Sequence, residues 1–232
     1  METKTKVFHE EEKKIFVSPP FGPNVYEWVG KEILDNNLAL PTGDHTASLL
    51  HTLYCNPNPY CTPEFDDIRQ MIRDNGLWIF NVNVWTSNGV YVLQDLGAKG
   101  NSELLDSNKL EEAIKDGKEN NYGVRFSAGN TVRFAPIGTY KFGEHTPDSL
   151  SKDGFILASF GEEGAKKIGR VSIRFNTPYV LGPKVDKLEQ DESEQLVSTV
   201  YPRFDNKLCF VSNKFMSKCR GGLAFGWYDK VF

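Results

Sequence analysis

The chain has 232 residues, 39% hydrophobic and 12% aromatic, and its 27 Lys and Arg against 31 Asp and Glu give a formal net charge of −4. These proportions exclude a collagen-like, low-complexity or intrinsically disordered chain. No apolar run approaches the roughly 18–20 residues that a membrane helix needs.

In chain order, the first stretch, METKTKVFHEEEKK, is charged and lacks the apolar segment of a secretory signal or the acid-poor character of a transit peptide. A soluble, intracellular protein of the cytoplasm is therefore expected, with its four cysteines as thiols. Val25 to Asn36 places Val25, Trp28, Val29 and Ile33 at helical spacing. Thr42–Asp44 offers caps for a second helix running through His51 to Tyr54. A third begins at Thr62-Pro63, carries Glu64, Asp66 and Asp67 in its first turns, and closes at Asn75-Gly76.

A hairpin follows, Leu77–Trp85 and Val90–Leu93 around Ser87-Asn88-Gly89. A short helix over about 108–115 is expected with Ser107 as cap. Strands are expected at Gly123–Ser127, Thr131–Ala135 and Thr139–Phe142, then a helical turn after Thr146-Pro147. Phe155–Phe160 reads as a short apolar strand before Gly161, with a helix from Glu162 to Ile173. Leu196–Tyr201, Lys207–Val211 and Gly222–Tyr228 complete the strands.

Helices gather first and strands dominate later. The pattern predicts an α+β fold, with a helical N-terminal part packed on a mostly antiparallel sheet built from hairpins. No repeat or Gly/Ser linker divides the chain, so one compact domain over residues 1–232 is expected. A minor break is placed near 183–194, where VDKLEQDESE follows Gly182-Pro183.

Three groups of residues carry candidate chemistry. The first is GDHTASLLHTLYCNPNPYC, which holds His45, His51, Cys55 and Cys61 with Asp44 adjacent. Two imidazoles and two thiols are the donor set of a tetrahedral zinc site, and His51 and Cys55 share a helical face. Five residues separate Cys55 from Cys61, however, where structural zinc knuckles use two to four. The plainer reading makes His45 part of a helix start and Cys55 a small buried hydrophobe. The same segment allows a cysteine-dependent hydrolase or transferase, with Cys55 or Cys61 as nucleophile and His51 or His145 as base. Cys61 precedes a helix start, where the dipole lowers a thiol pKa.

The second group is the pair of Val-Arg-Phe triplets around Gly129. A hairpin centred there projects Arg125 and Arg133 onto one face. Paired guanidinium groups suit a phosphate or carboxylate between them. A solvated face paired with protein carboxylates is the plainer reading. The third group is C-terminal: Cys209 and Cys219, which could bridge only in an oxidising compartment, Arg220-Gly221-Gly222, and the rings of Trp227 and Tyr228. Gly161-Glu162-Glu163-Gly164 matches no phosphate loop, because its glutamates repel an anion. Asn56-Pro57-Asn58-Pro59 has the rigidity of a recognition loop.

Residues 1–124 carry a balance of −8 and residues 125–174 one of +3, so no nucleic-acid footprint is expected. The leading expectation is a non-enzymatic binding or interaction protein. Its anion-recognising face is built on Arg125 and Arg133, its partner is a small anionic ligand or another protein, and it needs no cofactor. The cysteine enzyme and the zinc-stabilised domain are the alternatives.

Overall fold

The computed structural model describes residues 5–9, 14–55, 62–100, 102–184, 188–189, 192–202, 205–212 and 221–228. The Asn56–Pro59 turn, Cys61, Cys219 and Arg220 lie outside them, as does part of the 183–194 stretch.

The chain opens with β1 (Thr5–His9) and β2 (Lys14–Ser18), an antiparallel pair not expected from the sequence. β3 (Phe21–Asn24), α1 (Tyr26–Asp35), α2 (Gly43–Cys55) and α3 (Thr62–Asn75) follow. Gly76, at φ 78, ends α3 by returning its N–H to the Ile72 carbonyl at 2.8 Å. Only glycine takes that left-handed position without strain. The hairpin is β4 (Leu77–Thr86) and β5 (Gly89–Gln94).

α4 (Ser107–Ile114) is capped by Asp106, not Ser107: the Asp106 carboxylate accepts the Asn108 N–H at 3.0 Å. Asp106→Ala should therefore cost about 1 kcal/mol and Ser107→Ala under about 0.5 kcal/mol in urea unfolding. Equal effects would contradict this assignment.

β6 (Lys118–Glu119), β7 (Arg125–Phe126), β8 (Val132–Pro136) and β9 (Gly143–Glu144) come next. Thr139–Phe142 is not a strand; its place is taken by the two residues of β9. α5 (Pro147–Ser151) starts at the expected Thr146 cap, which forms a reciprocal capping box with Ser149.

The largest departure is α6 (Gly154–Ser172). It absorbs Phe155–Phe160, expected as a strand. Asp153 starts it, accepting the Phe155 and Ile156 N–H groups at 3.1 and 3.2 Å. Every residue from Gly154 to Gly161 is buried, so the run shows no amphipathic period by which to tell helix from strand. β10 (Tyr179–Leu181), β11 (Ser193–Pro202), β12 (Leu208–Ser212) and β13 (Gly222–Ala224) complete the chain. The final strand is shorter than expected, and Trp227 forms only isolated bridges with Phe16 and Ala39.

Among the described residues eleven strands form one sheet, in the order β6-β7-β8-β5-β4-β11-β12-β10-β9, with β13 beside β4 and β3 beside β13. All pairings are antiparallel except β10 with β12 and β13 with β4. The fold is thus α+β with a mostly antiparallel sheet, as expected. Helices are not confined to the N-terminal part, since the longest lies past the middle of the chain.

All ten residues of β4 are buried. Leu77, Ile79 and Trp85 join the core shared with α2 and α6. Trp78 and Phe80 join Tyr26, Val29 and Ile33 on the opposite face. Between Val82 and Ile79 the partner strand advances only from Val197 to Ser198, so β4 carries an irregularity at Phe80 and Asn81. Such a bulge turns side chains toward new partners. Here it serves the helix kink described next.

Candidate functional site

α6 is broken at Gly161, which holds φ 70 and ψ 171 inside an otherwise helical run. A broken helix leaves carbonyls without the N–H four residues on. Two are met by side chains. Arg133 Nη1 donates to the Ala158 carbonyl at 3.2 Å, and Asn81 Nδ2 donates to the Ser159 carbonyl at 2.8 Å. Arg133 spends its other contacts nearby. Its Nη2 donates to Asp44 Oδ2 at 2.7 Å and its Nε to Asn130 Oδ1 at 2.9 Å. Its side chain is 4% exposed and that of Asp44 33%.

Asp44, the exposed partner of this ion pair, lines a recess of about 580 Å³. β6 and the residues after it form one wall, Lys118, Glu119, Asn120 and Asn121; Phe126 and Asn130 contribute from the neighbouring hairpin. Opposite stand Gly161, Glu162 and Glu163, at the restart of α6. Asp44 lies in the first turn of α2 and comes to the same place because α2 packs along α6. The side chains on offer are carboxylates, amides, one ammonium and one phenyl ring. Histidine, cysteine, serine and threonine are absent from this lining.

The two arginines do not share a face. Arg125 pairs with Phe134 and Phe126 with Arg133, so the hairpin is centred one half-position beyond Gly129. That register puts opposite residues on one face and sends each arginine to its own side. Arg125 lies 4.9 Å over the Phe134 ring, and Arg133 lies 5.8 Å from that of Phe126. No anion can sit between the two guanidinium groups.

The His/Cys segment is also dispersed. His45 stacks on Trp227, centroids 4.0 Å apart, with Nδ1 2.8 Å from Thr42 Oγ1. His51 is half-buried further along α2, and Cys61 is outside the described residues. Among the described residues no three His, Cys, Asp or Glu side chains converge as a metal ion would require.

Cys55 is half-buried at the end of α2. Burial pushes its thiol pKa up, opposed by Arg174 and Arg170. This is the reverse of the depression that a thiolate nucleophile shows. Burial favours the neutral thiol, so alkylation of Cys55 by iodoacetamide should have its inflection above about pH 8.5, the ordinary thiol value. An inflection near pH 7, followed by mass spectrometry of the Cys55 peptide, would restore the nucleophile reading.

His145 is buried. Its Nε2 lies 3.1 Å from the Lys141 carbonyl, so that nitrogen carries the proton, and Nδ1 lies 3.4 Å from Ser149 Oγ. Asp153 Oδ2 is 3.9 Å from Nε2. Burial raises the Asp153 pKa, opposed by N–H donors from Lys141, Ile156 and Phe155 and by His145. Burial, reinforced by Asp153, pushes the nearby Tyr140 up to about 12. These groups hold the start of α6 together rather than open onto the recess.

At the C-terminus, Gly222 gives way to Trp78: a Cβ there would meet its indole Nε1 at 2.2 Å. Trp227 donates to the Leu40 carbonyl at 3.2 Å and packs as structure. Cys209 is buried in β12.

No protein-family model matches the chain, and no curated protein does. A solved structure described as accommodating massive sequence variation in Nanoarchaeota by the C-type lectin fold is similar. Identity is 11%, coverage is 98% of this chain and 96% of that chain, and the TM-score is 0.50. The likeness is one of fold alone.

Proposed function

We propose that this chain is a non-catalytic binding protein whose ligand sits in the recess lined by Asp44, Glu119 and Glu162, and that the ligand presents a cationic group. The observation that carries this is the recess itself, whose floor residue Asp44 is held by a buried and multiply hydrogen-bonded guanidinium. A floor held this way does not have to be ordered when ligand arrives. The lining supports binding over chemistry, because it pairs no thiol or hydroxyl nucleophile with an imidazole base. Its charge reverses the anion expectation: with Asp44 matched to Arg133 and Glu163 to Lys166, Glu119 and Glu162 face a single Lys118. Phe126 offers a ring for a guanidinium or alkylammonium to lie on.

Backbone amide NMR titrations with N-acetylarginine amide, spermidine and inorganic phosphate test this. The cations should shift the amides of Glu119, Asn121 and Gly161, and Glu162→Gln should weaken them about threefold. If phosphate shifts these amides and the cations do not, the proposal fails.

A further inference from the structure

A second recess of about 390 Å³ adjoins the first, and the two share Asn121 and Glu162 as common wall. Its character is opposite. Tyr122, Lys152 and Lys166 line it, with the apolar Leu157. Both lysines are solvent-exposed, and among the described residues Lys152 pairs with Asp148 and Lys166 with Glu163, each three or four residues away in the chain. Exposed pairs of this kind contribute little, so an incoming carboxylate exchanges for them at small cost. The continuous groove is therefore acidic at one end and basic and aromatic at the other.

The strand along the groove is β6, whose residues Lys118 and Glu119 line the first recess. β6 ends the sheet order, paired with β7 on one side and with no strand on its other side among the described residues. An unpaired edge presents backbone N–H and C=O groups to an extended chain. A compact ion or small cation would use one recess and leave the edge unused. Charge complementarity at both ends, together with the strand edge beside the first recess, fits an extended peptide.

Resting on the binding reading above, we infer that the occupant of this groove is an extended peptide segment carrying a basic side chain and, a few residues away, a carboxylate. The basic group enters the recess of Glu119, Glu162 and Glu163. The carboxylate meets Lys152 and Lys166, and the backbone between them runs along β6.

The test uses capped tetrapeptides with arginine and glutamate at the two ends and a two-glycine spacer, in both orders. Controls carry glutamine in place of the arginine, of the glutamate, or of both. Affinity and amide shifts are followed by NMR at Glu119 and Gly161 for the first recess and at Tyr122 and Lys152 for the second. One doubly charged peptide should shift both sets and bind about fivefold tighter than the arginine-only control. The variant Lys152→Glu, whose lysine pairs with Asp148 outside the first recess, should abolish most of that advantage while leaving the arginine-only peptide unchanged. If doubly charged and arginine-only peptides bind alike and shift only the first set, this inference is overturned and the binding reading stands. If no peptide shifts either set while spermidine does, the outcome is the same. If neither peptides nor spermidine shift anything, both fall.

Discussion

Asp44→Ala is expected to lower the stability of the fold by about 3–5 kcal/mol, seen as a fall in the urea midpoint at unchanged slope. The reason is what the substitution leaves behind. Arg133 is 4% exposed at its side chain, so without Asp44 a guanidinium is buried with an amide, a carbonyl and the Phe126 ring but no carboxylate for company. The converse change is milder. Arg133→Ala strands Asp44, which at 33% exposure can turn to water, and orphans the Ala158 carbonyl, for about 3 kcal/mol. Arg125→Ala is the control. That side chain is half-buried and lies over one ring, so its loss should cost under about 1 kcal/mol. Equal, small losses at Arg125 and Arg133 would mean that both are surface residues and that the recess has no fixed floor.

Gly161→Ala is expected to cost about 3 kcal/mol and to remove binding in the first recess. Two effects add. At φ 70 and ψ 171 the backbone occupies a region that is nearly glycine's alone, a strain of roughly 1–3 kcal/mol for alanine. The new Cβ would also stand 2.4 Å from Asp44 Oδ1 and 3.4 Å from Arg133 Nη1. It would wedge the ion pair apart from the side facing the ligand. Gly129→Ala separates this from a general glycine effect. Its Cβ would meet only the Thr131 side chain, at 3.8 Å and beyond, on an exposed turn, and the change should stay within about 0.5 kcal/mol. A Gly161→Ala protein as stable as the parent would show that α6 does not need its break.

Local rules account for what was legible before any coordinates. The Thr62-Pro63 start, the Asn75-Gly76 stop and the Thr146-Pro147 cap act within one turn of chain, and each lies where it was expected. The Leu77–Trp85 hairpin carries enough valine and aromatic side chains, around a short turn, to be read as strands. Phe155–Phe160 was misread for the same local reason. Apolarity on all sides marks burial and says nothing of period, and the Asp153 cap that decides for helix is one residue type among many.

The residue pattern alone carries the fold class, the α3 and α5 starts, the β4–β5 hairpin and the acidic turn at Glu162 where α6 resumes after its kink. Tertiary structure alone decided the site. Asp44, Asn81, Arg133 and Gly161 are distant in sequence and meet only because α2 packs along α6 and β4 bulges toward the kink. Register decided the arginines: a hairpin centre displaced by half a residue puts Arg125 and Arg133 on opposite faces, an offset made in the turn where Asn130 takes φ 54. Such contacts are fixed by the summed packing of the whole core, in which no single local preference is large enough to be read alone.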